Sequence, residues 1–350
     1  MFTISRKRAS IIVALALAGA IAVAEKDSRF KVTNLVSDIP GLAPILDPNS
    51  VNPWGIALNP AGGAFWVSNT GTSTSTLYAG DVNGSAFVKV ALVVTIPGGV
   101  PTGQVFNGSS DFVVTNGASS APARFITAGL SGVVTGWSGA IGSNTLARIG
   151  VTTPGAVYTG LAIGNDGTRN LLYAADTVGG KIDVFDGTYA PTNVPGMFID
   201  PNLPPGMTPF NIQNLGGRLF VTYENFFLGD VEGNGVVNEF DMNGYLIRRV
   251  TSNDSLMRPW GLAIAPANFG TFSNALLVGN FGDGRIHAFR MSDGKKLGAM
   301  KRNKGGPIEI ERLWGLQFGN GVSAGNPNDL YFAAGIEEET HGLFGKIEVD

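Results

Sequence analysis

The chain has no cysteine among its 350 residues, so no disulfide can hold the fold together and its stability must come from packing. Charged residues are also few, at 15% of the chain, with a formal net charge of −3. No basic stripe exists to displace the counterions of phosphate groups, which argues against a nucleic-acid partner. The same shortage gives no support to binding at a membrane surface.

Histidine is nearly missing as well, since only His287 and His341 occur. Two histidines are too few for a lyase that needs several of them on a metal. No G-x-S-x-G motif is present, which excludes the nucleophile elbow of α/β-hydrolases. His341 stands close to Glu337, so it is either a proton shuttle or part of a charged surface loop.

No sustained amphipathic helical period follows the first segment of the chain. That segment reads as a secretory signal, with basic residues at 6–8, an apolar run at 11–20 and an A-x-A site ending at Ala24. The apolar run is shorter than the roughly 20 residues that span a bilayer. We therefore expect cleavage after Ala24 and a secreted or periplasmic monomer, away from the membrane, with a single domain at residues 25–350.

Glycine, in contrast, is abundant, with 50 residues, as expected for many tight turns between short strands. Six similar segments recur about every 50 residues: PWGIALN, PTGQVFN, YTGLAIG, PFNIQNL, PWGLAIA and LWGLQFG. Their aligned positions are Gly55, Gly103, Gly160, Asn211, Gly261 and Gly315. A period of this length is typical of one blade of a β-propeller.

Each period contains short apolar runs bounded by Gly, Asn and Asp, which are strand signals. The first period reads WGIAL, AFWVSN, TLYAGDV and FVKVALVVTI, and in the third the fourth run is expected near GMFID. The chain is thus predicted to be all-β, a six-bladed propeller with four-stranded blades. The alternative is a β-sandwich or solenoid with chance similarity. The last period is one strand short, and we expect residues 29–39 (RFKVTNLVSDI) to complete it and close the ring.

The pattern P-x-G-[IL]-A, then an aromatic-rich strand ending in Asp or Asn, then [KR]-I-x-x-F, resembles the NHL repeat, most closely at residues 160–187. From about residue 30 onward, segments such as NLVSDIPGLAPILDPNSVNPWGIALNP also resemble an uncharacterised family of exported bacterial propellers. Some members of that family carry a PEP-CTERM sorting tail, which this chain, ending in GLFGKIEVD, lacks. The resemblance implies a fold and export, but no established reaction.

The predicted second strands end in oxygen-bearing residues that would share one rim of the channel: Asn69, Asn116, Asp176, Glu224 and Asn280. Such oxygen ligands suit Ca²⁺, and six-bladed lactonases of the gluconolactonase type bind a divalent metal with a similar set. The alternative is that Asn and Asp simply end strands and accept turn geometry. Residues 230–241 (DVEGNGVVNEFD) match the spacing of an EF-hand loop but lack its flanking helices.

Trp54, Trp260 and Trp314 stand at blade starts, either as a sugar-stacking platform or as wedges between blades. With Glu337 and His341 they are our candidates for a ligand-facing surface. Two functions stay open. One is a binding or scaffold module that holds a small molecule, a peptide or a glycan at the channel mouth. The other is a calcium-dependent hydrolase of lactonase or esterase type, in which the rim residues hold Ca²⁺ and the metal polarises a carbonyl.

Overall fold

A computed structural model describes residues 29–142, 144–252 and 255–350, so the predicted signal segment at 1–24 lies outside it. Two strands precede the first repeat, β1 (Phe30–Ser37) and β2 (Ile45–Leu46). The helices of the described residues are 3₁₀ turns of three residues each, and none is long and apolar enough to cross a membrane. They are Thr70–Thr72, Gly139–Ile141, Phe226–Leu228 and Gly270–Phe272.

The first three blades are antiparallel sheets in which the first strand is innermost. Blade 1 contains β3 (Pro53–Ala57), β4 (Phe65–Asn69), β5 (Thr74–Ala79) and β6 (Val88–Thr95). Blade 2 contains β7 (Pro101–Phe106), β10 (Phe125–Gly129), β11 (Val133–Trp137) and β12 (Arg148–Thr152), with a separate hairpin of β8 (Val113–Thr115) and β9 (Ser120–Pro122). Blade 3 contains β13 (Tyr158–Asn165), β14 (Asn170–Asp176), β15 (Lys181–Phe185) and β16 (Pro191–Thr192).

The last three blades repeat the plan, which confirms the predicted six-bladed β-propeller with four-stranded blades. Blade 4 contains β17 (Thr208–Leu215), β18 (Arg218–Glu224), β19 (Val236–Phe240) and β20 (Leu246–Thr251). Blade 5 contains β21 (Pro259–Ile264), β22 (Ala275–Asn280), β23 (Ile286–Arg290) and β24 (Lys296–Ala299). Blade 6 contains β25 (Leu313–Phe318), β26 (Leu330–Ala334) and β27 (Leu343–Val349), with β1 as its fourth strand.

The aligned glycines let neighbouring innermost strands approach each other closely. A Cβ on Gly55 would lie 2.4 Å from the carbonyl oxygen of Thr102 in the next blade, and one on Gly315 would lie 2.4 Å from that of Trp54. Both distances are too short for carbon against oxygen, so only glycine fits. In the fourth copy Asn211 replaces the glycine. Its side-chain amide donates to the Trp260 carbonyl at 2.8 Å and so bridges the innermost strands of blades 4 and 5.

The predicted N-terminal closure is confirmed. Strand β1 pairs antiparallel with β27, from Phe30 opposite Val349 to Ser37 opposite Leu343, so both ends of the described chain share one sheet. Phe30 is also buried against Phe272 of blade 5, with parallel rings 5.8 Å apart. This latch closes the ring by packing and hydrogen bonding alone.

Two strand predictions were wrong. The run GMFID (196–200) is not the fourth strand of blade 3, because Met197 and Phe198 adopt left-handed backbone angles and Phe198 packs into the core as part of a turn. In blade 2 the second strand was predicted to end at Asn116, but residues 111–116 (DFVVTN) contribute β8 to the hairpin β8–β9, which lies outside the sheet. Its Val113 and Thr115 are exposed, whereas the true second strand, β10, is buried along its whole length.

Candidate functional site

The innermost strands begin, and the second strands end, at the same face of the ring, which we call the N face; the opposite one is the C face. Pro53 lies opposite Asn69, and the same register places the other three second-strand termini there: Asp176, Glu224 and Asn280. Asn116 lies instead in the exposed turn of the β8–β9 hairpin, where its amide donates to the carbonyl of Ile141. Four of the five predicted rim residues therefore share a face.

These four residues do not form one ligand cluster, because three of them bond within their own blades and Glu224 pairs with Arg258, at the start of the next blade. The Asn69 amide donates to Thr74 and Thr76 of the next strand, and the Asp176 carboxylate accepts the N–H groups of Val157 and Gly179. Asn280 donates to the carbonyl of Ser255 and to Asp283. In the described part of the chain, no group of three His, Asp or Glu side chains is placed to hold a metal.

The EF-hand-like segment is also spread out. Asp230, its first residue, pairs with Arg258 and Arg312, while Asp241, its last, caps a turn at the far end of β19. The intervening Asn234 is buried and bonds to the backbone of its own loop. Because the first and last residues lie at opposite ends of a strand, the segment does not form a calcium loop.

The three predicted tryptophans meet on the channel axis. Trp54 stacks on Trp314 with ring centroids 3.4 Å apart, and Trp260 stands edge-on to both. Phe210 and Phe281 complete a buried group of five rings, which we call the aromatic plug. The tryptophans are thus neither an exposed platform nor wedges between blade faces; they close the channel at its N-face end.

The polar atoms of the plug are satisfied by specific partners. The side-chain oxygen of Asn52 accepts the indole N–H groups of both Trp54 and Trp314, at 3.0 Å each. The indole of Trp260 donates to the carbonyl of Thr159 in blade 3, at 2.9 Å. Because every indole nitrogen has a partner, the plug holds a fixed arrangement.

A set of left-handed residues stands three positions before the aligned glycine in four blades. They are Asn52, Val100, Arg258 and Arg312, with φ between 45° and 53°. Such a conformation costs of order 1–3 kcal/mol for a residue other than glycine. It places side chains on the plug: the guanidinium groups of Arg258 and Arg312 lie 4.6 Å and 4.8 Å from the ring centre of Phe281. These residues were not among the predicted candidates, although their fixed offset from the repeat glycine could have identified them.

Alternating charges surround the plug. Arg258 pairs with the buried carboxylate of Glu224 and, at 3.2 Å, with Asp230; Arg312 links Asp230 to Glu338, at 2.6 Å each. Burial raises the pKa of Glu224, and Arg258 offsets this only in part. Burial also acts against the ionised form of Asp230, but the two arginines hold its pKa below the usual value. The chain of charges is therefore internally paired.

Above the plug lies an open hollow of about 380 Å³, which we call the N-face pocket. Its floor includes Trp54, Phe210, Phe281 and Trp314 of the plug. Glu224, Arg258, Arg312, Glu339 and Phe226 lie around it. The pocket thus combines apolar ring surface with charged groups of both signs.

Beside the pocket, the loop at residues 225–231 forms a knuckle with three exposed apolar residues. Phe226, Phe227 and Leu228 are 68%, 94% and 53% exposed. The buried amide of Asn234 fixes the knuckle by bonding to the N–H and carbonyl of Asn225 and to the carbonyl of Gly229. The knuckle was not predicted either, although an apolar run directly after a strand end, as in ENFFLGD, could have indicated an exposed apolar loop.

Of the two remaining candidates, neither lines the pocket. Nδ1 of His341 forms a hydrogen bond with Oδ2 of Asp38 at 2.6 Å, and Asp38 directly follows the latch strand β1. That bond raises the pKa of His341. Glu337 is exposed and begins three successive left-handed residues, 337–339, with its carboxylate 3.7 Å from Nε2 of His341. Both residues belong to the latch region of blade 6.

The sequence is similar to two proteins of Acanthamoeba polyphaga mimivirus. "Uncharacterized protein R648" is 33% identical over 335 residues, covering 91% of this chain and 80% of the viral one. "Uncharacterized protein L690" is 30% identical over 339 residues, covering 92% and 87%. The chain belongs to the family of these two viral proteins. No protein-family model matches it, and the viral relatives lend no support to a specifically bacterial family.

Solved structures of similar shape have low sequence identity. They include virginiamycin B lyase from Staphylococcus aureus, 10% identical with a TM-score of 0.47, covering 92% of this chain and 100% of that one. Hydrazine synthase of Kuenenia stuttgartiensis is 14% identical with a TM-score of 0.48, covering 84% and 76%. These likenesses carry no argument about activity.

Proposed function

We propose that the protein is an exported binding module that takes up a peptide segment of a partner protein on its N face. The observation that carries this proposal is the knuckle, where Phe226, Phe227 and Leu228 project into solvent beside the N-face pocket. Contiguous apolar side chains on a monomer's surface are typical of interaction sites. Because Asn234 already fixes the loop, little conformational entropy is lost on binding.

Charge around the knuckle indicates what kind of peptide fits. A second hollow of about 410 Å³ lies next to the N-face pocket and shares Arg312 with it. Five carboxylates line this hollow: Asp230, Asp283, Glu309, Glu311 and Glu338. Arg285 and Arg312 neutralise part of this charge through their ion pairs with Asp283, Glu309, Asp230 and Glu338. The remaining negative charge favours a partner segment that carries basic residues beside its apolar ones. Small molecules and glycans also fit the pocket alone, but only a longer ligand reaches both the pocket and the tip of the knuckle.

The calcium-dependent hydrolase gains no support from the geometry. Such an enzyme needs at least three ligands that converge on one metal, and no group of three His, Asp or Glu side chains in the described part of the chain is placed to hold one. Elemental analysis of purified protein, with thermal unfolding in EDTA, tests this alternative. Stoichiometric calcium, with a melting temperature lowered by EDTA, would revive it.

The binding proposal is tested by selecting peptides from a random display library on the immobilised mature protein. We expect a consensus of apolar and basic residues from the wild type and its loss from a Phe226→Ser/Phe227→Ser double variant. Ile149→Ser is the matched control, since Ile149 is similarly exposed, at 53%, on the outer strand of blade 2. If wild type, control and double variant select the same peptides, or none selects a consensus, the N face is not the binding surface.

A further inference from the structure

Below the aromatic plug, the channel continues to the C face as a blind well. Its volume is about 340 Å³, its floor includes Trp260, and innermost strands of blades 1, 2, 3, 4 and 6 form its walls. This C-face well is separated from the N-face pocket by the plug. At this volume it lies at the small end of the range for ligand pockets, about 300–1,000 Å³.

The walls of the well are polar but uncharged. Each innermost strand is the edge of its sheet, so its inner side presents N–H and C=O groups that no strand of the described chain pairs. Side chains satisfy some of these groups: the Asn211 side-chain oxygen accepts the Ile212 N–H, and the Asn214 amide donates to the Ile163 carbonyl. Carboxamides add to these groups: Gln213 has no side-chain hydrogen-bond partner among the described residues, and Gln317 bonds only to the neighbouring carbonyl of Phe318. All the residues that line the well are uncharged, and Ile56, Leu161 and Leu316 supply apolar surface between the polar groups.

These walls restrict the class of ligand. A charged molecule would lose its hydration in the well and find no counter-ion there, which is costly. An apolar molecule would strip water from the edge N–H and C=O groups without replacing their hydrogen bonds, which is unfavourable for each group. A compact molecule with several hydroxyl groups avoids both penalties, since each hydroxyl both donates and accepts.

We infer that the C-face well binds an uncharged polyhydroxyl molecule of the size of a monosaccharide or cyclitol. This site is independent of the proposed peptide surface, because the plug of five buried rings stands between the two. Its donors and acceptors come both from the backbone edges of the repeated innermost strands and from the carboxamides of Gln213 and Gln317.

The test measures binding of D-glucose and myo-inositol to the mature protein by isothermal titration calorimetry. The charged comparison probes are sodium glucuronate and protonated glucosamine. The hydroxyl-poor comparison probe is cyclohexanol. We expect saturable binding of the two polyols and none of the comparison probes. Gln213→Trp, which fills the well, should abolish binding, and Gln213→Ala should weaken it about fivefold through the loss of one hydrogen bond.

The control is the Phe226→Ser/Phe227→Ser variant, which should bind the polyols as the wild type does even if it loses its peptides. The inference is overturned if neither polyol binds saturably, or if glucuronate binds as tightly as glucose. It is also overturned if a folded Gln213→Trp variant keeps its affinity. Should that variant fail to fold, Gln213→Ala and Gln317→Ala decide: unchanged affinity in both rejects the site.

Discussion

The two ends of the channel are built from different parts of the sequence. At the C-face end, the walls are the repeated innermost strands, with uncharged side chains and exposed backbone edges. At the N-face end, the channel is closed by aromatic rings, four of which stand directly before the aligned residue of their blades, and by a chain of paired charges that differs from blade to blade. Features common to the blades therefore form one end, whereas residues that vary among the copies of the repeat complete the other.

Blade 4 shows most clearly how such departures arise. It replaces the repeat glycine with Asn211, places Phe210 where other blades have tryptophan or threonine, and carries the knuckle after its second strand. Each change lies on the same blade, next to Glu224 and Arg258. The other five blades keep the glycine. One blade can therefore differ and form a specific surface while the ring stays closed.

Removal of β1 should have the largest effect, because both ends depend on the closed ring. A chain that begins at Asp38 lacks the strand that pairs with β27 and the ring of Phe30 packed on Phe269 and Phe272. We expect loss of the cooperative thermal transition, measured by circular dichroism. A chain that begins at Arg29 is the control and should melt like the mature protein; similar melting of both chains would show that the latch is dispensable.

Arg258→Met should destabilise the N-face end strongly. The substitution leaves the buried carboxylate of Glu224 without its partner, which typically costs about 3–5 kcal/mol. Urea unfolding measures the loss, and the added substitution Glu224→Gln should restore part of it. Gln317→Met in the C-face well, where no charge is left behind, should cost about 1 kcal/mol or less. Equal losses at the two ends would contradict the contrast between them.

Gly103→Ala tests the repeat that forms the C-face end. A Cβ at this position would lie 2.3 Å from the backbone nitrogen of Leu161, so the innermost strands of blades 2 and 3 must move apart. We expect a loss of about 1–3 kcal/mol in urea unfolding. Gly108→Ala is the matched control, since its Cβ would make only ordinary contact, 3.5 Å from the ring of Phe106. A similar loss in both variants would mean that the close approach is unimportant.

Most of the fold was predictable, because the period, the glycines and the missing strand of blade 6 are properties of the repeat. Where the prediction failed, the local sequence was misleading. GMFID is apolar enough for a strand, but its backbone turns and buries Phe198 between blades. DFVVTN has the alternation of a half-exposed hairpin, whereas the strand between two blade faces, β10, is buried throughout.

The site was less predictable, because side-chain type does not reveal direction. The second-strand termini Asn69, Asp176 and Asn280 do reach the N face, but the amide N–H groups of the two asparagines and the carboxylate of Asp176 bond within their own blades. The residues that do reach the axis, Asn52 and Arg258 among them, do so through left-handed backbone angles. That conformation is uncommon for residues other than glycine and, unlike asparagine, arginine is not enriched in it, so propensity does not predict it at Arg258.

Substitution of His341 should have the smallest effect on stability. It tests whether charged groups contribute to stability only towards the N face. Bonding to Asp38 raises the pKa of His341 in the folded chain. The stabilisation is therefore fully present below the unfolded pKa of about 6.5 and is lost as pH rises through the folded value. His341→Gln should thus lower the melting temperature more at pH 5.5 than at pH 8.5. Gln317→Ala, in a well without titratable groups, should lower it equally at both.

The other histidine does not disturb this measurement. Burial lowers the pKa of His287 to about 4, so the fold loses stability as pH falls from about 6.5 towards 4. This loss is common to the wild type and both variants, and it cancels when each variant is compared with the wild type at the same pH. If the His341→Gln difference is independent of pH, the contact with Asp38 is a neutral hydrogen bond. If instead the change in melting temperature caused by Gln317→Ala depends on pH, titratable groups influence the well, and the contrast between the two ends is wrong.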